Sequence, residues 1–377
     1  MFDKYERIIN LEKVLKDEYN YIFTGDLKDL YLQPFIELEG EGTNALCWIK
    51  YQGDSYLFKQ YPDFENNVWG ELLSMEFAKK LNLPCAEYHT ASLGNKKGLL
   101  SKQMLKTDET LILGYEVFQD FFNIEIKNGT LKETLKNKFD NYLIPDEIRN
   151  YDSLKQSNEV FSRLNTLDQV WDILEERQDL GKEEVSTIIN SYANMLLFDI
   201  FTLQGDRHPN NWGLIKTKTG YKACPLFDNS SSFGLGYPFM QKKMANLKND
   251  FMYARTLKDY SLIDKEIYLS RPSFTLSNEN IKNNDKQSAL VVFQDFIRKT
   301  GTDSINYVAP FFQEMTEDNL QLMIGKIENE NGIRMSDELS GYIYNIFNYH
   351  QQKLNTIMSL EYQGGSKSDT GKSTRRI

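Results

Sequence analysis

Cysteine, histidine and proline are scarce in this chain of 377 residues, at three, three and nine. Cys47, Cys85 and Cys224 lie far apart, are odd in number and lack CxxC spacing. That argues against a disulfide framework and a structural zinc, and it fits a reducing compartment, the cytoplasm. No His/Cys cluster, Ser-His-Asp pattern or Cys-His pattern stands out. Long apolar runs are missing too: none reaches the ~18 residues of a membrane span. Met1 to Asn10 is charged and has no h-region, which excludes a secretory signal there. Positive charge is in deficit, with a formal net charge of −10. Such a surface repels phosphate backbones, so direct nucleic-acid binding is not expected, and anionic membranes are a poor default partner. No internal repeat is visible.

What is present is a globular chain. Hydrophobic residues make up 40% and aromatics 13%, with 22 Tyr and 23 Phe, enough for one or two real cores. Leu11 to Tyr19 reads as a short helix. "LCWIKYQGDSYLFK" holds two apolar runs around Gln52-Gly53-Asp54 and reads as a β-hairpin. A helix is predicted over roughly Asn67 to Leu81, ending before Pro84. "AEYHTASLGNKKGLLSKQML" predicts two more strands joined at Gly94-Asn95. After about Leu105 the pattern turns mainly helical. Val185 to Leu203 reads as a buried helix, and Trp212 to Ile215 with Tyr221 to Phe227 as a second hairpin around Lys218-Thr219-Gly220. Residues 229 to 285 are polar and irregular. Helical patterns follow over Gln287 to Thr300, Thr316 to Asn329 and Ser336 to Leu360. The last fifteen residues, "QGGSKSDTGKSTRRI", hold one apolar residue and read as a disordered tail. The tail imitates a P-loop, but its glycine is one residue off and no strand precedes it. The basic cluster "QKKMANLK" reads as a solvated loop by default, with recruitment of an acidic peptide or phosphate as the alternative.

The informative segment is "LQGDRHPNNWGLIKTKTGYKACPLFDNSSSFG". Asp206 falls in a loop after the buried helix, Asn211 follows at the start of a strand, and Asp228 ends the partner strand. A hairpin brings the last two together, because paired strands lie about 4.8 Å apart. Phosphoryl transfer from ATP needs such a set: a carboxylate to orient the nucleophile's proton, and hard oxygen ligands for Mg²⁺. Asp-x-x-x-x-Asn with a later strand-end Asp is the kinase arrangement. Asp206 is the candidate base; Asn211 and Asp228 are the candidate Mg²⁺ ligands. Gly, Asp, Pro and Asn are also ordinary turn residues. Upstream, "EGEGTNALCW" offers Gly40, Gly42, Thr43 and Asn44 as a phosphate loop, since glycine lets backbone N–H groups approach phosphate. It is not GxGxxG.

"GDRHPNNWGLI…PLFDNSSSFG" resembles the HipA-like kinases, bacterial Ser/Thr protein kinases with a Gly-Asn-x-Asp-x-His-x-x-Asn loop and a later strand-end Asp. Asp206, His208, Asn211 and Asp228 occupy those positions, while Gln204-Gly205 departs from the family's Gly-Asn pair. The loop also resembles the Asp-Arg-His-x-x-Asn loop of phosphatidylinositol 3-/4-kinases. The resemblance spans roughly residues 36 to 235. It implies an α+β, two-lobed protein-kinase-like fold with a β-rich N-lobe (1–105), an α-helical C-lobe (106–362) and a tail (363–377). It implies a strand lysine on the ATP phosphates, Lys59, and a helix glutamate pairing with it, Glu71, with Glu76 as rival. Lys59 read without the family is an edge-strand lysine, and Glu71 a residue on a solvated face. Gln103 and Met104, before the interlobe hinge, are expected nucleotide contacts, as are Gly42, Thr43 and Asn44. His208 is expected near the transferred phosphate or bracing the loop, and Arg207 steadying the loop or touching an acidic group. His89 and His350 are expected to be structural.

The implied activity is an ATP- and Mg²⁺-dependent serine/threonine protein kinase. Autophosphorylation is implied for some members, with Thr43 a candidate here. Alternatives are a lipid or small-molecule kinase on the same core, or a nucleotide-binding pseudokinase scaffold. An antitoxin partner is implied for some relatives; the chain is expected to lack their extra N-terminal region, which counts against such a partner here.

Overall fold

Two-residue turns build the first half of the chain. At Gln52-Gly53 both φ angles are positive, 51° and 86°, the conformation that lets antiparallel strands keep their right-handed twist. The turn joins β3 (Leu46–Tyr51) to β4 (Asp54–Gln60), and Gly94-Asn95 joins β5 (Tyr88–Leu93) to β6 (Lys96–Lys102). With β1 (Ile9–Asn10) and β2 (Glu37–Leu38) these form a six-stranded sheet, ordered β1-β5-β6-β4-β3-β2, with β1 parallel to β5. A computed structural model of the chain describes residues 8–22, 33, 37–38, 46–61, 64–122, 161, 164–235, 274–276 and 288–364.

β4 is an inner strand, paired with both β3 and β6, so the edge-strand reading of Lys59 does not hold. Among the described residues a helix packs on each face of the sheet. Helix α1 (Leu11–Tyr19), capped by Asn10 and closed by left-handed Asn20, packs Leu11, Val14 and Leu15 on Cys47, Ile49, Phe58, Ala91, Leu93 and Leu100. Helix α2 (Phe64–Lys80) covers the other face, which carries Leu99. Lys59 stands directly opposite Leu99 in the β4–β6 register, so the pleat puts it on the α2 face. Gly98 makes the strand contact possible there, since a Cβ at that position would lie 2.3 Å from the Lys59 carbonyl oxygen.

The second half is mainly helical. A small sheet, β7 (Thr110–Leu113), β8 (Gly213–Lys216) and β9 (Tyr221–Ala223), precedes and follows α3 (Gly114–Phe122), α4 (Leu167–Glu176) and α5 (Lys182–Thr202). Helix α5 is buried from Met195 through Thr202, as its apolar run predicts. Then come α6 (Ala289–Thr300), α7 (Ser304–Glu314), α8 (Glu317–Asn331) and α9 (Asp337–Gly364). Strand β7 and helix α7 are not visible in the sequence pattern, and β9 stops at Ala223, not Phe227. The expected tail from residue 365 lies outside the described residues, as does "QKKMANLK". Among the described residues no helix is long and apolar enough to cross a membrane, and all three cysteines are unpaired.

The two halves meet along α2. Glu76 bonds Lys326 of α8 at 2.6 Å, and Thr90 Oγ1 donates to the Asn331 carbonyl at 2.9 Å. Leu226 lies beside Cys85: its N–H donates to the Pro84 carbonyl and its carbonyl accepts from Ala86 N–H, both at 2.8 Å.

Candidate active site

The site forms where the end of β4, helix α2, and the segments after α5 and β9 converge. Helix α5 stops at Leu203, whose left-handed φ of 57° turns the chain into the loop. Gln204 is wholly buried and works at both ends: its Oε1 accepts from Asp206 N–H at 3.1 Å, and its Nε2 donates to the Asp228 carbonyl at 3.0 Å. One side chain thus ties the main chain of Asp206 to that of Asp228. The sequence marks Gln204 only as a departure from a family pattern.

Asn211 sits in a 3₁₀ turn, Pro209–Asn211, and not at the start of a strand. Proline at the first position suits such a turn, because the missing N–H has no intrahelical partner there. The Asn211 Nδ2 donates to the Asp206 carbonyl at 2.5 Å. With the nitrogen committed, Oδ1 is the atom Asn211 can offer to a cation. Asp228 lies five positions past the end of β9, in the left-handed region at φ 53°. Its N–H donates to the Tyr88 hydroxyl at 3.2 Å. Asp228 therefore belongs to a constrained turn held from both halves, not to a strand.

Lys59 Nζ meets Asp228 Oδ1 at 2.7 Å. Burial alone would lower the Lys59 pKa; Asp228 foremost, then Glu71 and Asp206, outweigh it and raise the pKa. The expected Lys59–Glu71 pair is not what forms. Both Glu71 oxygens are taken: Oε1 accepts from the Tyr61 hydroxyl at 3.3 Å, and Oε2 from Asn229 N–H at 2.8 Å. Glu71 is 1% exposed, so the solvated-face reading fails. Burial, then the Asp228 carboxylate, pushes its pKa up to about 7 against the pull of Lys59. Glu76, the rival, is engaged with Lys79 and Lys326. Gly70 brings α2 this close: a Cβ there would lie 2.4 Å from the Ser230 carbonyl oxygen.

The Asp206 and His208 side chains are the accessible pair, 59% and 41% exposed. His208 Nδ1 accepts from Asn210 N–H at 3.2 Å, which leaves Nε2 to carry the ring proton when the imidazole is neutral. Nε2 lies 3.9 Å from Asp206 Oδ1, beyond a hydrogen bond. Beneath the loop, Arg207 is wholly buried and forms a two-pronged pair with Asp199, through Nε at 3.0 Å and Nη2 at 2.9 Å. The position is visible in sequence; its acidic partner, eight residues back on α5, is not.

Gln103 and Met104 follow β6, four and five residues along from Leu99, the cross-strand partner of Lys59. That is about 13–17 Å from the Lys59–Asp228 pair along the strand. Gln103 N–H bonds the Ser55 carbonyl, and no described contact joins either residue to the pair. Gly42, Thr43 and Asn44 lie outside the described residues. His350 is buried with Nε2 2.8 Å from the Ile200 carbonyl, its pKa lowered to about 4 by burial; His89 stands beside Glu87. Both are remote from the loop carboxylates in every described contact.

The donor set fits a hard cation. Mg²⁺ takes one or two carboxylates with phosphate and water oxygens, and Asp228 with Asn211 Oδ1 supplies oxygen only. Among the described residues no cluster of three His, Cys, Asp or Glu offers a rival all-protein metal site.

No protein-family model matches the sequence, and no curated protein does. Solved structures do resemble the fold. The Helicobacter pylori proinflammatory kinase CtkA aligns over 87% of this chain and 97% of its own, at 14% identity and a TM-score of 0.57. A chain of the Shewanella oneidensis MR-1 toxin–antitoxin complex of HipA, HipB and operator DNA aligns over 95% of this chain and 73% of its own, at 10% identity and a TM-score of 0.48. At such identity a likeness speaks to architecture, and the architecture is α+β, two-lobed and protein-kinase-like.

Proposed function

We propose that this chain is an ATP-dependent phosphotransferase acting on a hydroxyl group, and that its acceptor is a serine or threonine of a protein. The observation that carries the reading is the Lys59–Asp228 pair at 2.7 Å, set beside a loop that offers Asp206, His208 and Asn211. A cation, a turn carboxylate, an amide oxygen and an accessible carboxylate are the parts phosphoryl transfer requires. The kinase-like fold agrees with that use, and the likeness of the loop to HipA-like kinases favours a protein acceptor.

Asn211 and Asp228 are the residues that would hold Mg²⁺, which when bound neutralises phosphate charge. Lys59 is the cation that would meet the α- and β-phosphates, and Asp228 and Glu71 favour its charged form. Asp206 is exposed enough to reach an acceptor hydroxyl, orient it and receive its proton. His208 can donate its Nε2–H to an equatorial phosphate oxygen. Catalysis on this arrangement is mainly positioning and electrostatics.

The test is incubation of the purified chain with labelled ATP and Mg²⁺, with protein acceptors and inositol lipid in separate arms, beside Asp206→Ala. Label on protein hydroxyls, or an 80 Da gain on the chain itself, that is lost in the variant supports the reading. Label confined to the lipid arm replaces the acceptor. No transfer in any arm, with nucleotide still bound, makes the chain a scaffold.

A further inference from the structure

Arg207 is the buried centre of the loop. A guanidinium carries five N–H donors, and here all five are used. Nε and one Nη2 hydrogen go to Asp199 of α5. The other Nη2 hydrogen goes to Asn229 Oδ1 at 2.6 Å. The two Nη1 hydrogens go to the carbonyls of Asn211, at 3.0 Å, and Phe227, at 2.6 Å. Asn165 Nδ2 holds the Arg207 carbonyl at 2.7 Å, and Asn165 Oδ1 accepts from Trp212 Nε1, also at 2.7 Å. The acceptors therefore include Asn211 itself and both neighbours of Asp228.

Stability is a poor reason for this arrangement. Arg207 and Asp199 are both wholly buried, and buried ion pairs commonly do no better than well-packed apolar residues. What the planar fork supplies is geometry, fixed in five directions at once, and a lysine cannot reproduce it. We infer that Arg207 is a positioning residue that sets the separation of Asn211 and Asp228, and so the affinity and geometry of the cation bound between them. The inference rests on the reading of those two residues as cation ligands.

Its test has one arm without nucleotide. In the wild-type apo protein, amides of 206–211 and 226–230 should exchange hydrogen as one unit, with opening constants within about threefold. Arg207→Lys and the milder Asn229→Ala, which removes one of the five acceptors, should separate them. In the second arm the chain with ADP is titrated with Mg²⁺ and followed by calorimetry. Both variants should need about 10–100 times more Mg²⁺ for half-saturation, with metal-free ADP affinity unchanged. Independent exchange of the two segments in the wild type overturns the inference. So does a folded variant with a lower Tm but wild-type Mg²⁺ demand, which would make Arg207 structural only. Should Arg207→Lys not fold, Asn229→Ala and the wild-type exchange decide. Joint exchange in a wild type that binds no Mg²⁺–ADP sinks the kinase reading and, with it, the cation role, leaving Arg207 as a tie between loop and turn.

Discussion

Glu71 accepts the backbone N–H of Asn229 at 2.8 Å, so the α2 glutamate is tied to the residue after Asp228 and not to Lys59. A helix carboxylate in this position acts on the main chain that shapes the Asp228 turn, and reaches Lys59 only through its field.

That carboxylate makes stability pH-dependent in a direction opposite to a paired surface acid. Its pKa rises from 4.5 to about 7 on folding. The folded chain thus keeps the proton where the unfolded chain has released it. This contribution is full below about pH 4.5, falls between pH 4.5 and 7, and is flat above; its size is on the order of 3 kcal/mol. Urea unfolding at pH 5 and pH 8 should show the wild type losing stability relative to Glu71→Gln, which has no proton to lose. Parallel pH profiles for the two proteins would contradict the shift.

Asp206→Ala should separate activity from folding. Its side chain is 59% exposed, so Tm should move by no more than about 2 °C for a surface change in a chain this long. Phosphate transfer should fall about 10²–10⁴-fold, the range for loss of a positioned acid–base group. A variant with near-wild-type turnover would remove Asp206 from the chemistry.

Gly70→Ala sets two effects against each other. Alanine favours a helix interior by roughly 1 kcal/mol. The new Cβ would press on main chain at Ser230, 2.4 Å away, where no flexible side chain can yield. Overpacking of this kind costs about 1–3 kcal/mol, so the clash should win and Tm should fall. Because Ser230 follows the Asp228 turn, transfer should fall as well; a stabilised, fully active Gly70→Ala would refute the close contact.

Thr90→Val tests the brace between the sheet and α8. The change keeps the shape but strips the donor from the buried Asn331 carbonyl, bonded at 2.9 Å. The expected loss is about 1–2 kcal/mol in denaturant midpoints. An unchanged midpoint would mean the brace is not formed in solution.

Local chemistry made much of this fold legible. Gln52-Gly53 and Gly94-Asn95 announce their hairpins, and the apolar run ending at Leu203 announces a buried helix. Helix α7 escaped because Pro310 reads as a breaker; seven residues into the helix it removes one N–H and crowds the carbonyl of residue 306, a loss that packing of Val308 and Phe311 offsets. Strand β7 is four residues long and exists through β8, more than a hundred residues later. At the site, the spacing of Asp206, Asn211 and Asp228 singles them out as candidates, but it puts Asn211 and Asp228 on strands where the chain has turns. Gln204, Arg207 with Asp199, and Glu71 with Asn229 could not be read: each depends on which distant group arrives opposite, and no periodicity records that.

The backbone pairing of Leu226 with Pro84 and Ala86 lies immediately before the Asp228 turn. The two bonds tie the segment leading into β5 to the chain that enters the Asp228 turn, so a displacement of either is carried to the other through main chain and not through a side chain that could swing aside.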